Sequence, residues 1–105
     1  WKKAWEGGLP VLDDATGVSY DWKTFDRKKT EFLNLVNSDI KPCVTEIIIH
    51  CNVHTETFDR ISTSGVNRQA DLDIMLDADF KKAVQDQGII LTTWRELKER
   101  RAKVG

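Results

Sequence analysis

At 105 residues the chain is long enough for one small hydrophobic core and too short for two. It is 40% apolar and 31% charged, and no run of about 18 apolar residues is present that would span a bilayer. Its 16 basic and 17 acidic residues are mixed along the sequence to a net charge of -1, which excludes a broad positive surface for nucleic acid.

The chain opens at Trp1 without a methionine, and Trp1 to Glu6 reads as a helix end closed by Gly7 and Gly8, so further sequence is expected upstream. Leu9 to Leu12 is a short apolar run that predicts a buried strand. Asp13 to Ser19 then supplies the Asp, Gly and Ser of a loop. From Thr24 to Asn37, Phe25, Phe32, Leu33 and Val36 fall near one stripe and predict an amphipathic helix, interrupted by Lys28 and Lys29. Lys41 and Pro42 end it, and the β-branched run Val44 to His50 is the strongest strand signal in the chain. Being apolar on both faces, it reads as a parallel strand covered by helices.

Cys51 to Asn67 carries the polar residues of a long loop, the place after a parallel strand where α/β proteins put their chemistry. Arg68 to Leu76 and Phe80 to Gln87 predict two short helices, the second closed by Gly88. Ile89 to Thr92 predicts a further buried strand. Thr93 and Glu96 have capping-box spacing ahead of a last helix, Trp94 to Lys103, whose basic end suits the negative pole of the helix dipole. The order predicts an α/β fold of mainly parallel strands with flanking helices. Three strands make a poor complete sheet and a natural part of a (β/α) barrel, so residues 1–105 read as a single partial domain.

Cys43 and Cys51 would stand roughly 26 Å apart if the strand between them is extended, whereas a disulfide needs Cα atoms within about 7 Å. A reducing, cytoplasmic setting is therefore expected.

His50 stands at the C-terminal end of the strongest strand, the catalytic end if the strand belongs to a barrel. From position alone, a histidine that bonds a neighbouring loop is an equal reading. Glu46 lies on the same face about 13 Å away and reads as an ion-pair partner. His50, Cys51 and His54 form an H-C-x-x-H cluster of zinc-ligating types. Adjacent strand residues point oppositely, however, and His54 reads as an exposed loop residue. Arg68 and Asp71 have the spacing of one helical face, where the arginine would bind a substrate hydroxyl or hold the preceding loop. Trp22 and Trp94 are candidates for stacking on sugar rings, although at helix starts tryptophan more often seals a core. Asp13 and Asp14, after the first predicted strand, invite a metal reading and are at least as well explained as turn residues.

The stretch Thr45-Glu46-Ile47-Ile48-Ile49-His50, the pair Arg68 and Asp71, and the closing run from Gly88 to Leu97 together resemble the YdjC-like, or ChbG-like, carbohydrate deacetylases. The resemblance covers most of residues 9 to 97. It implies the C-terminal portion of a distorted (β/α) barrel that hydrolyses N-acetyl groups of amino sugars or chitooligosaccharides with a divalent metal, Mg or Zn. It also implies that the metal ligands lie in an N-terminal half of the barrel, a partner for this segment. His50 carries over as the strand-end histidine lining the sugar pocket, a catalytic acid or hydrogen-bond donor to the leaving group. Arg68 carries over as a substrate or loop anchor. Immediately after the histidine, Cys51-Asn52 replaces the Pro-Gly commonly found in relatives. Two other readings stand beside this one. The first is a noncatalytic carbohydrate-binding or protein-interaction module whose sheet edges pair with another chain, a homo-oligomer included. The second is a small zinc protein using His50, Cys51 and His54.

Overall fold

A computed structural model describes residues 1–19 and 21–104. Among them the chain is a mixed α/β fold with two parallel strands and six α-helices. After α1 (Lys2–Glu6) comes β1 (Asp14–Gly17), then α2 (Phe25–Asn34) and β2 (Thr45–Ile48). Four helices follow: α3 (Glu56–Asp59), α4 (Gly65–Met75), α5 (Ala78–Asp86) and α6 (Trp94–Val104).

β1 and β2 pair in parallel from Asp14 opposite Thr45 to Gly17 opposite Ile48. Parallel neighbours need a crossover, and α2 supplies it. Helix α2 starts where the Thr24 hydroxyl accepts the Arg27 N–H at 3.1 Å. It ends in a π-helical turn, Leu35–Asp39. Its inward stripe is Lys28, Phe32 and Val36, spaced four apart, so Lys28 belongs to the buried face that its charge seemed to interrupt. Helix α4 presents Asn67, Ala70, Asp71 and Ile74 in return.

The core is Phe32, Val36, Ile74 and Phe80, with Ile47 and Ile49 packed against it from the second strand. Phe32 and Phe80 meet edge to face, 5.5 Å between centroids. Fully burying such side chains stabilises the fold by about 1.5–3 kcal/mol each. Ile48, between the two core isoleucines, faces the other way and is 45% exposed. The second strand is therefore covered on one face only, not on both as its apolar run implied.

Two predicted strands are not formed. Leu9 to Leu12 is irregular, and the ladder begins instead at Asp14, inside the expected loop, because that is where the chain comes alongside Thr45. Ile89 to Thr92 leaves α5 through Gly88, at φ 67°, and Ile90 and Leu91 remain 76% and 83% exposed. A strand requires a neighbour, and neither described strand lies beside this segment. The long loop expected from Cys51 to Asn67 is broken by α3 and by the first turn of α4.

The capping box is formed: Thr93 N–H donates to Glu96 Oε2 at 3.0 Å and Glu96 N–H to Thr93 Oγ1 at 3.2 Å. The Glu96 carboxylate also accepts the Thr92 hydroxyl, and these bonds hold its pKa below the ordinary 4.5. Trp94 is 50% exposed and seals no core. Arg101 on α6 lays its guanidinium over the Trp5 ring, 3.3 Å from the centroid, and donates to the Trp5 carbonyl.

Candidate functional site

Both strands of a parallel pair end on the same side, and the crevice beyond their carboxyl ends is where open α/β sheets bind ligands. Here that crevice is a cleft of about 210 Å³. Gly17, Val18 and Ser19 enter it from the end of β1, and Ile48 and His50 from the end of β2. Asn67, Arg68 and Asp71 of α4 form the opposite wall. Alternation along the second strand and the two residues after it matches the division of labour: Ile47 and Ile49 go to the core, while Ile48 and His50 reach the cleft.

A buried ion pair, Lys28 with Asp71, borders the cleft. The Lys28 ammonium, 1% exposed, bonds Asp71 Oδ1 and also donates to the Asn67 carbonyl at 2.8 Å. The second carboxylate oxygen, Asp71 Oδ2, accepts the backbone N–H of His50 at 3.0 Å. A charge out of water is retained only when paired and further hydrogen-bonded, and here three groups from α2, α4 and the end of β2 satisfy one another.

Arg68 and Asp71, read from spacing as facing one way, have different partners. Arg68 Nε donates to Ser64 Oγ at 2.8 Å and its guanidinium lies over the Phe58 ring, 5.8 Å from the centroid. The Arg68 carbonyl accepts the Asn52 N–H at 3.2 Å. Arg68 therefore anchors the loop after the second strand while also lining the cleft.

His54 turns away to its own loop. Its Nε2 meets Asp59 Oδ1 at 2.7 Å and its backbone N–H donates to Gln69 Oε1 at 2.9 Å. Cys51 is exposed, its thiol pKa raised by partial desolvation and then by the nearby Asp71 carboxylate. Cys43 and Cys51 are both free thiols. Among the described residues no three His, Cys, Asp or Glu side chains converge on a point that would hold a metal. His50, Cys51 and His54 of the H-C-x-x-H sequence form no such group among the described residues. Asp13 accepts the Val44 N–H at 2.8 Å, opening the ladder rather than facing a metal. Glu46 forms no ion pair among the described residues.

His50 and Arg68 were both legible as site candidates, and the fold brings them to one cleft. Lys28 was missed: the signal available was a lysine on an otherwise apolar helical stripe. Among the described residues no helix is long and apolar enough to cross a membrane. Comparison with family models, with curated proteins and with solved structures finds no match.

Proposed function

We propose that this chain is the C-terminal part of a metal-dependent carbohydrate deacetylase of the YdjC-like kind, a hydrolase acting on N-acetylated amino sugars or chitooligosaccharides in the cytoplasm. The observation that carries the reading is the meeting of His50 and Arg68 in the cleft at the carboxyl ends of two parallel strands. These are the two residues on which the motif resemblance turns. The two-stranded sheet is then one part of a distorted (β/α) barrel, the remainder of which lies in preceding sequence together with the metal ligands.

In the reaction, water adds to the acetyl carbonyl carbon, the C–N bond breaks, and acetate leaves as the amine nitrogen takes up a proton. His50, at the mouth of the cleft, hydrogen-bonds the leaving nitrogen and in its protonated form supplies that proton. Arg68 places guanidinium donors on the same wall, suited to sugar hydroxyls. The exposed Ile48 side chain lining the cleft suits a pyranose face.

The test is deacetylation of an N-acetylated chitooligosaccharide by the full-length protein with added divalent metals, with and without His50→Ala. Loss of about 10²–10⁴-fold in kcat on substitution is the scale of a general acid. A full-length protein inert with every divalent metal tried overturns the proposal. The exposed Ile90, Leu91 and Trp94 would then favour the noncatalytic interaction module.

A further inference from the structure

We infer that Lys28 and Asp71 are positioning residues for His50, fixing the strand-end histidine against the helix that carries Arg68. The chemistry so positioned rests on the deacetylase reading above; the geometry does not.

The second strand ends at Ile48, two residues before His50, so the ladder no longer restrains the backbone at position 50. The backbone N–H of His50 donates to Asp71 Oδ2 at 3.0 Å instead of to a strand neighbour. Asp71 is 3% exposed and lies on α4, one turn from Arg68. Its other oxygen is taken by Lys28 of α2, and Lys28 also bonds the Asn67 carbonyl in the turn before Asp71. The carboxylate therefore has one orientation in which both oxygens are satisfied, and that orientation fixes the distance from strand end to helix.

An apolar pair of similar volume would fill the same space with less desolvation cost. A buried lysine and aspartate are needed if the position of a charged, two-ended acceptor matters. Both residues border the cleft, and the role inferred for them runs through the His50 N–H that Asp71 holds.

The experiment uses the full-length protein with ¹⁵N-labelled histidine, the His50 amide signal being assigned by its loss in His50→Ala. Two neutral pairs are compared, so that no lone charge is left buried. Lys28→Met with Asp71→Asn keeps an oxygen that accepts the His50 N–H; Lys28→Met with Asp71→Ala does not. The Ala pair should move the amide signal upfield and lower kcat about tenfold or more, while KM stays within about threefold. The Asn pair should restore the amide position and most of kcat. A role confined to stability would leave the two folded pairs alike in kcat. Equal kcat in the two pairs, or an unmoved amide signal in the Ala pair, overturns the inference. If the unsubstituted protein has no deacetylase activity, that reading falls separately, and the amide signals alone decide whether Asp71 holds His50.

Discussion

Removing the Asp71 carboxylate alone should be among the most damaging single changes in this chain. In Asp71→Ala the Lys28 ammonium, 1% exposed, keeps the Asn67 carbonyl as its one partner among the described residues. Breaking one side of a buried pair costs about 3–5 kcal/mol, and the orphaned His50 N–H adds about 1 kcal/mol. At about 4–8 °C per kcal/mol for a domain near this size, Tm should fall by roughly 15–50 °C. Since domains have only about 5–15 kcal/mol in total, much of the protein would be unfolded at growth temperature. Urea titration followed by circular dichroism measures the loss. Neutralising both partners, with Lys28→Met and Asp71→Asn, should return most of it, because no uncompensated charge remains. A cost below about 1 kcal/mol for Asp71→Ala, the value of a solvated pair, would refute the reasoning by showing that water reaches Lys28.

Two further outcomes concern helix ends. Gly88→Ala should lower the urea midpoint by an amount equivalent to about 1 kcal/mol, because Gly88 sits at φ 67° with open space around it, so backbone strain alone opposes the substitution. Glu96 has its pKa lowered in the fold, by the Thr92 hydroxyl first and the Thr93 N–H next, so its stabilising contribution is present above the ordinary 4.5 and is lost as pH falls through its lower folded value. Amide exchange at Thr93 should accelerate over that acidic window, and Glu96→Gln should flatten the response.

What the sequence revealed follows the range of the interactions involved. The capping box at Thr93 and Glu96 and the glycine stop at Gly88 are local chemistry, and both stand where the residue pattern put them. His50 and Arg68 were found because a strand end and a helical face are legible from spacing. Lys28 was not, because its partner lies 43 positions away and only the packing of α2 on α4 joins them. The same contact took Asp71 from Arg68, the neighbour its spacing had offered. Strand reading failed where pairing overrode composition. Asp14 to Gly17 has poor strand residues and a partner, whereas Ile89 to Thr92 has good ones and no partner among the described residues.

The clasp of Arg101 on Trp5 joins positions 96 apart and so bends nearly the whole chain into a closed ring. Because the entropy of closing a loop grows only with the logarithm of its length, so distant a contact costs little more to close than one a few tens of residues long.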